Sequence, residues 1–404
     1  MKPLAERLSV LRAAAAAKQS PADLHERLCR LGSARQPRTR ARQPDQAWLA
    51  QLLHAERIAD GLLRIERRLP IDGLAISAQP KLPALAPAAP LFIDTETTGL
   101  SGGSGTLAFL IGCARIESGQ LLLRQYLLTR FGGEPTLLRA FAAEVSGAEC
   151  LVSYNGKSFD LPLLENRFRM TGVENPLASL HHLDLLHWVR RAYGSRWADC
   201  RLERVESQLL DCERSDDLPG SQAPAAWFDW IRTGEAGRLP GVIHHNRRDL
   251  RSLALLLPEL SHVYRDPGKR GADALAVARY HLAGGDHAEA LRILQLSQSQ
   301  LTAGGRMELA RLLRREGRLP ETLCIWRELA AHGEAAAREQ LAKYYEHKVG
   351  DYHTALAFAQ QLSVDASSRH RCRRLQRKLA AQQVQPRLIA EGPPTQCAPW
   401  RAPQ

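Results

Sequence analysis

A short apolar strand that ends in two carboxylates constrains this chain more than any other feature. The sequence predicts a strand over residues 91–94, and Asp94 and Glu96 stand just before a turn at Gly99. Residues i and i+2 of a strand project to the same face, so Asp94 and Glu96 can act together. Carboxylate oxygens are the ligands that Mg²⁺ and Mn²⁺ prefer. The strand therefore predicts a metal site where the chain leaves a sheet.

Two later aspartates extend this pattern to four acids. Asp160 follows an Asn-Gly turn at Asn155, and Asp249 stands on a predicted helix behind two histidines. A single aspartate beside a turn is most often a helix cap or a solvated surface group. Four acids in this arrangement are less easily explained by chance than one aspartate, because a buried-type strand, a turn and a helix must each present an acid.

Together these motifs resemble those of the DEDD exonucleases of the ribonuclease-H-like superfamily, over about residues 88–262. Three segments, 97–106, 158–162 and 217–220, look like the YprB-like branch of that family. The resemblance implies an α/β fold with a ribonuclease-H-like mixed sheet flanked by helices. It also implies a 3′-to-5′ exonuclease that uses two Mg²⁺ or Mn²⁺ ions.

The resemblance gives each acid a role. Asp94 would bridge both ions, while Glu96 and Asp249 would hold the ion that activates water. Asp160 would help to bind the second ion. Phosphodiester hydrolysis suits this division, because one ion activates the attacking water and the other stabilises the departing 3′ oxygen.

A histidine is the fifth expected group, and two adjacent positions compete for it. The histidine branch of the family has its base five positions before the last aspartate, which is His244 here. The tyrosine branch has it four positions before, which is His245. Because Asn246 follows, the motif looks like the tyrosine branch with histidine substituted, and spacing i to i+4 puts His245 and Asp249 on one helical face. The sequence favours His245 as the group that moves a proton, although a core or capping histidine is the alternative.

Three residues beside the acids are predicted to contact substrate. The segment 154–160 resembles the second exonuclease motif of family-B DNA polymerases, in which Asn155 could hydrogen-bond to the terminal nucleotide and Phe159 could stack on it. A simple turn at Asn155 and a core ring at Phe159 are the alternatives. Thr97 is the third predicted contact, and the glycine-rich run that follows it either approaches the sugar-phosphate or forms a flexible hairpin.

Charge and composition favour a nucleic-acid partner. The formal net charge is +12, and each cationic side chain near a phosphate gains affinity by releasing counterions. A generally arginine-rich surface is the alternative. Eight dispersed cysteines, without a Cys-x-x-Cys motif, indicate neither a zinc site nor a disulfide framework. The absence of a signal peptide and of a long apolar stretch predicts a cytoplasmic protein that does not contact membranes.

The chain divides into five predicted segments. They are a helical, basic region over 1–78 with a charged run at 35–42, a Pro/Ala-rich linker over 79–90, a ribonuclease-H-like exonuclease domain over 91–265, helical repeats over 270–382, and a disordered tail over 383–404. Within the central domain, strands are predicted at 91–94, 107–117, 120–129 and 150–154, with a tight hairpin at 118–119. Helices are predicted at 137–145, 160–170, 181–213 and 246–257, the last of them ending at Pro258.

The C-terminal region carries an internal repeat. Gly285, Gly317 and Gly350 each precede a helix whose equivalent leucines lie 32 and 33 residues apart. This spacing is close to the ~34-residue period of tetratricopeptide helix pairs, which commonly dock protein partners. A plain helical bundle is the alternative.

The residues support one function best and leave another open. The leading hypothesis is a two-metal exonuclease acting on single-stranded ends of DNA or RNA, with a repeat domain that docks a protein. The alternative is an adaptor whose nuclease-like domain binds nucleic acid without efficient cleavage. Hydrolysis of free nucleotides is a third hypothesis, which the basic charge disfavours.

Overall fold

The fold is built on one seven-stranded mixed sheet. In the computed structural model, residues 45–70, 85, 87, 89–99, 105–214, 217–362 and 365–384 are described. The basic run at 35–42, most of the linker at 79–90, the glycines at 102–103 and the tail beyond residue 384 lie outside them.

The strands of the sheet are β1 (Glu56–Ala59), β2 (Leu62–Pro70), β3 (Pro90–Thr97), β4 (Ala108–Glu117), β5 (Gln120–Leu128), β6 (Cys150–Ser153) and β7 (His181–Asp184). Their spatial order is β1-β2-β5-β4-β3-β6-β7. β3 pairs antiparallel with β4 and parallel with β6, so it lies inside the sheet. The β4–β5 hairpin turns at Ser118 and Gly119 with φ of 50° and 74°, as the sequence predicts.

The prediction of a helical N-terminal region over 1–78 is wrong for residues 54–70, and residues 1–44 and 71–78 lie outside the described part of the chain. Helix α1 (Gln46–Leu53) ends at His54, which adopts a left-handed conformation with φ 49°. β1 and β2 then form a hairpin, and β2 pairs along its whole length with β5. Sheet pairing outweighs the helical spacing of the apolar residues, and the sheet begins before the domain boundary predicted at residue 91.

In the described part of the chain, six helices follow β5 and precede the C-terminal helical region: α2 (Glu134–Val145), α3 (Asp160–Thr171), α4 (Leu185–Tyr193), α5 (Leu202–Leu209), α6 (Ala223–Thr233) and α7 (Leu239–Arg265). Two helix predictions need correction. Residues 181–184 form β7 instead of a helix, because they pair in parallel with β6. Helix α7 passes through Pro258, since a buried stripe that includes Leu253, Leu257 and Leu260 continues across it and outweighs the lost backbone hydrogen bond.

A glycine lets α7 approach the sheet next to Asp94. Gly112 is the cross-strand partner of Asp94 on β4, and a Cβ atom there would lie 2.2 Å from Asn246 Oδ1. Asn246 uses this space to donate from Nδ2 to the carbonyl oxygen of Asp94 at 3.0 Å and to its Oδ2 at 2.7 Å. Gln125 donates in turn to Asn246 Oδ1 at 2.8 Å. The contact fixes α7 relative to β3.

The region after α7 is helical. Its helices are α8 (Ala274–Ala283), α9 (His287–Leu296), α10 (Ala303–Arg315), α11 (Leu319–Ala331), α12 (Ala335–Tyr344), α13 (Tyr352–Gln360) and α14 (Ala366–Val384). Short 3₁₀ turns lie at Phe131–Gly133, Leu177–Ser179, Gly220–Gln222, Gly268–Arg270 and Gln298–Gln300, and a π turn lies at Tyr345–Val349. Among the described residues, no helix is long and apolar enough to cross a membrane.

Three helix pairs in this region turn at the predicted glycines. Gly285, Gly317 and Gly350 have φ of 82°, 74° and 78° and separate α8 from α9, α10 from α11, and α12 from α13. The left-handed conformation explains why glycine occupies each turn. The first pair packs on the sheet domain, because Tyr280 on α8 contacts Trp188 on α4 edge to face, with ring centroids 5.0 Å apart.

The Gly112→Ala substitution should destabilise the protein by about 1–3 kcal/mol, because the new methyl group overlaps Asn246. Gly132→Ala is the matched control, since a Cβ atom there meets nothing within 4 Å, and it should change stability by less than about 0.5 kcal/mol. Urea denaturation followed by circular dichroism measures both. Equal stability of the two variants would contradict the close approach.

Candidate active site

Asp94 and Glu96 lie on the face of β3 that α7 covers. They are two residues apart on one strand, so both side chains point the same way. Glu96 is only 8% exposed, while Asp94 is partly open to solvent and is held by the amide of Asn246. The strand extends to Thr97, so both acids are part of the sheet and not of the following turn.

Asp160 reaches the same place from the first turn of α3. Thr95 Oγ1 donates to Asp160 Oδ1 at 2.5 Å. The turn before Asp160 is held by the buried carboxylate of Asp184, which accepts from the backbone N–H groups of Asn155 at 2.8 Å and Lys157 at 3.1 Å. Asp184 also caps α4 by accepting from Leu186 N. It is therefore a structural support for the acid motif.

Helix α7 presents Asp249 and His245 on one face. His245 Nε2 lies 3.7 Å from Asp249 Oδ2, and His245 Nδ1 lies 2.9 Å from Asp217 Oδ2. Since a carboxylate can only accept, we assign the proton to Nδ1, which leaves Nε2 directed at the acids. His244 is exposed on the helix surface. The structure brings His245 to the acids and places His244 outside.

The largely buried side chain of Arg214 lies beside Asp249 and Asp217. Arg214 Nη2 donates to Asp249 Oδ1 at 2.6 Å, and its Nη1 donates to Asp217 Oδ2 at 2.9 Å. Its Nε and Nη2 donate to the fully buried Glu206 at 2.6 Å and 2.9 Å. Three carboxylates thus share a single guanidinium, which fixes Asp249 and the partner of His245 together.

The four acids of the site have raised pKa values. Burial raises the pKa of each of the four carboxyl groups, Asp94, Glu96, Asp160 and Asp249. The neighbouring negative charges raise the pKa of Asp94 further, to well above its usual value, and contribute to a pKa of about 8 for Glu96. For Asp249, the charges of His245 and Arg214 oppose the effect of burial.

This donor set fits divalent cations with oxygen ligands. All four groups are carboxylates, and hard oxygen ligands of this kind suit Mg²⁺ and Mn²⁺. In the described part of the chain no three His, Cys, Asp or Glu side chains stand preassembled as a metal-binding group. Mg²⁺ commonly keeps several waters and takes only one or two protein carboxylates, so a few carboxylates around each ion would suffice. Zinc, which favours His and Cys ligands, suits the set less well.

The three predicted substrate contacts lie around the acids. Phe159 directly precedes Asp160 and is 55% exposed, so it is not a core ring. Asn155 adopts a left-handed conformation with φ 67°, which explains the Asn-Gly turn. Thr97 Oγ1 donates to Gly99 O at 2.9 Å. Both Phe159 and Asn155 lie in the segment that follows the carboxyl end of β6.

Sequence analysis missed the supporting residues Arg214, Asp217, Glu206 and Asp184. Asp217 belongs to the segment 217–220, which was singled out only as a branch feature. Its neighbour Arg214 is one of 55 lysine and arginine residues, and no sequence motif marks it as part of the site. Asp184 lies inside the helix predicted over 181–213, whereas the structure makes it the cap of α4, and its hold on the turn at Asn155 depends on the unpredicted β7.

Comparison with known proteins agrees with the fold. Residues 91–261 match the family described as the RNase_H superfamily. The chain is also 34% identical over 287 residues to "Uncharacterized protein YprB" of Bacillus subtilis (strain 168), covering 68% of this chain and 69% of that protein. This chain belongs to the YprB family, within the ribonuclease H superfamily. The ribonuclease-H-like fold and the similarity to YprB are thereby confirmed.

Two solved structures are similar at lower identity. The family B DNA polymerase from the archaeon Pyrobaculum calidifontis is 17% identical with a TM-score of 0.34, over 56% of this chain and 29% of that chain. The zinc-bound complex of E. coli ExoI with single-stranded DNA is 15% identical with a TM-score of 0.27, over 42% of this chain and 45% of that chain. The chain spans less than half the length of either protein.

The Arg214→Met substitution should destabilise the protein by about 3–5 kcal/mol, because it leaves buried carboxylates without their cation. The matched control is Arg232→Met, since Arg232 pairs with Asp229 on the surface, and it should cost less than about 1 kcal/mol. Chemical denaturation in EDTA measures both values. A cost for Arg214→Met as small as the control would show that the cluster does not depend on this arginine.

The pKa of Glu96 predicts a pH dependence of stability for the metal-free protein. The pKa is about 8 in the folded protein against a usual value of 4.5, so the unfolded chain loses its proton first. The stabilisation is complete below the lower value and is lost as the pH rises through the higher one. In EDTA, the melting temperature of wild type should fall more steeply than that of Glu96→Gln as the pH rises from about 5 to about 8. The surface variant Glu117→Gln should follow wild type, and a Glu96→Gln curve parallel to both would refute the raised pKa.

Proposed function

We propose that this protein is a metal-dependent 3′-to-5′ exonuclease that hydrolyses phosphodiester bonds at single-stranded nucleic-acid ends. The observation that carries the proposal is the convergence of Asp94, Glu96, Asp160 and Asp249, with His245, near the carboxyl ends of β3 and β6 in a ribonuclease-H-like sheet. The 3′-to-5′ polarity follows from the resemblance to the DEDD exonucleases.

The four carboxylates would hold two Mg²⁺ or Mn²⁺ ions. Such ions, when bound, supply charge that activates water and stabilises the departing 3′ oxygen. Asp94 is suited to the shared position because it interacts with Asp249, Glu96 and Asp160. Asn246 and Thr95 hold Asp94 and Asp160 in place, and so limit the reorganisation needed on binding.

His245 is proposed to move the proton. Its Nε2 is directed at Asp249, where it can accept a proton from the attacking water. The carboxylate of Asp217 holds the Nδ1–H and stabilises the positive charge that forms on the ring, as a carboxylate does for other catalytic histidines. Neutral-pH proton transfer by such a histidine contributes about 10²–10⁴-fold to a rate.

The substrate would enter at the carboxyl ends of β3 and β6. The exposed ring of Phe159 can stack on the terminal base, which any base sequence permits. We expect Asn155 and Thr97, which lie close in the chain to Asp160 and Glu96, to contact the terminal nucleotide. We propose that the three glycine-turned helix pairs are tetratricopeptide-like repeats that dock a protein partner, and that the protein acts in the cytoplasm.

A second candidate is supported by the position of Arg214. Its ion pair with Asp249 occupies one oxygen of a proposed metal ligand. A nuclease-like domain held in this arrangement would bind nucleic acid without efficient cleavage and would serve as an adaptor. Turnover in the presence of metal separates the two candidates.

A time course on 5′-labelled single-stranded DNA and RNA tests the proposal. With Mg²⁺ or Mn²⁺, wild type should give a ladder that shortens from the 3′ end, and EDTA should stop it. The Asp94→Asn variant should fold normally and lose cleavage to background, because it lacks the carboxylate that would hold both ions. Undiminished cleavage by Asp94→Asn would exclude the two-metal site, and a folded wild type that binds without cutting would favour the adaptor.

The two neighbouring histidines provide a matched pair. His245→Ala should lower kcat by about 10²–10⁴-fold, because it removes the group beside Asp249. His244→Ala should stay close to wild type, since His244 is exposed on the helix surface. Single-turnover kinetics at saturating metal compares them. A larger loss for His244→Ala would reverse the assignment.

A further inference from the structure

A cavity of about 730 Å³ opens beside the proposed active site. It lies between the turn that follows β6 and the loop that joins α4 to α5, and its lining includes Tyr154, Asn155, Arg190, Trp197 and Arg201. Its volume falls within the range of roughly 300–1,000 Å³ found for small-ligand sites. None of the proposed metal ligands lines it, but Asn155, a proposed contact of the terminal nucleotide, does, so the cavity adjoins the proposed active site.

The sheet register places the cavity next to Asp94. Phe92 on β3 is opposite Val152 on β6 in a parallel pair, and two residues further along each strand lie Asp94 and Tyr154. Adjacent strands are about 4.8 Å apart, so the cavity begins roughly one strand away from the acids. The hydroxyl of Tyr154 donates to the carbonyl of Cys200 at 2.5 Å, which ties the wall of the cavity to the loop.

The lining combines a fixed aromatic ring with exposed cationic groups. Trp197 stacks on Tyr193, with ring centroids 4.0 Å apart and an interplanar angle of 12°, so its ring is held rigidly. Asp199, the carboxylate of the lining, accepts from Arg204 Nη2 at 3.2 Å and from the backbone N–H of Arg201 at 3.1 Å. The side chains of Arg190 and Arg201 are exposed and remain available for an anion, in contrast to the fully engaged Arg214.

Aromatic walls together with arginines match the chemistry of a nucleotide in a single strand. A base can stack on an aromatic ring or fill an apolar cavity, and guanidinium groups pair with phosphate oxygens. A strand whose scissile phosphate lies at Asp94 would pass Asn155 and reach this cavity within a short distance.

We propose that the cavity is an upstream subsite that takes one unstacked nucleotide of the bound single strand, with its flanking phosphates at Arg190 and Arg201. The location relative to the scissile bond rests on the proposed nuclease function. Binding at the subsite does not require cleavage, so an experiment can contradict the subsite without contradicting the nuclease function, and the reverse.

Affinity measurements on three arginine variants test the proposal. Arg190→Ala, Arg201→Ala and the control Arg196→Ala each remove one exposed arginine, and Arg196 lies in the same loop without lining the cavity. Fluorescence anisotropy with a single-stranded oligonucleotide, in the Asp94→Asn background that prevents cleavage, gives Kd and its salt dependence. Arg190→Ala and Arg201→Ala should each weaken binding about tenfold and reduce the slope of log Kd against log salt by about 0.7. Arg196→Ala should change neither.

A second comparison tests the base. Ala198 is exposed and lines the cavity, so Ala198→Trp should fill it without disturbing the core. An oligonucleotide series with a single abasic site moved along the strand should reveal one position upstream of the 3′ end whose base wild type requires. Ala198→Trp should lose that requirement. A free nucleoside monophosphate should compete only weakly, because it lacks the second phosphate.

The outcomes separate the subsite from the nuclease. Loss of affinity in Arg190→Ala and Arg201→Ala supports the subsite even if wild type cleaves nothing. Three arginine variants with equal affinity, or an Ala198→Trp variant with the wild-type abasic profile, would overturn the subsite while cleavage by wild type stood. Absence of oligonucleotide binding by wild type, or full competition by the free monophosphate, would also overturn it.

Discussion

The contact between Asn246 and the strand that carries Asp94 determines the geometry of the site. The amide of Asn246 donates to Asp94 twice and accepts from Gln125, in a space that only glycine at position 112 leaves open. Because Asp249 follows on the same helix, a change in this contact would move one acid of the cluster relative to the other three. The same contact therefore holds α7 on the sheet and positions Asp249 relative to the other three acids.

Charge is the second constraint. Four carboxyl groups with raised pKa values lie together, and among the described residues only the Asp249 side of the group is paired with an arginine. Such a cluster lowers the stability of the metal-free fold, and cations would restore it. Arg214 supports Asp249 and Asp217 together, so it both positions the site and limits how freely Asp249 can turn toward a cation. In the proposed exonuclease the side chain of Asp249 would reorient toward a cation, and in the adaptor it would stay paired with Arg214.

The sequence predicted the acids better than their surroundings. Asp94, Glu96 and Asp249 carry signals of local spacing, and the β4–β5 hairpin carries a turn signal at Ser118, so each could be read directly. The strands β1, β2 and β7 were not predicted, because their existence depends on pairing with distant partners. Arg214, Asp217 and Glu206 are separated from Asp249 by up to 43 residues, and no local pattern shows that one guanidinium will join them. The helix end predicted at Pro258 is wrong for the same reason, since burial of the surrounding leucines outweighs the backbone hydrogen bond that the proline removes.

Calorimetric titration of Mn²⁺ into the metal-free protein near neutral pH, in buffers of different ionisation enthalpy, tests the central claim most directly. The raised pKa values of Asp94 and Glu96 predict that Mn²⁺ displaces protons, because a carboxylate must be ionised to act as a ligand. The expected result is two bound ions, a heat that depends on the buffer, and loss of both features in Asp94→Asn. Absence of Mn²⁺ binding by folded wild type, or identical titrations of wild type and Asp94→Asn, would contradict a metal site at these four acids.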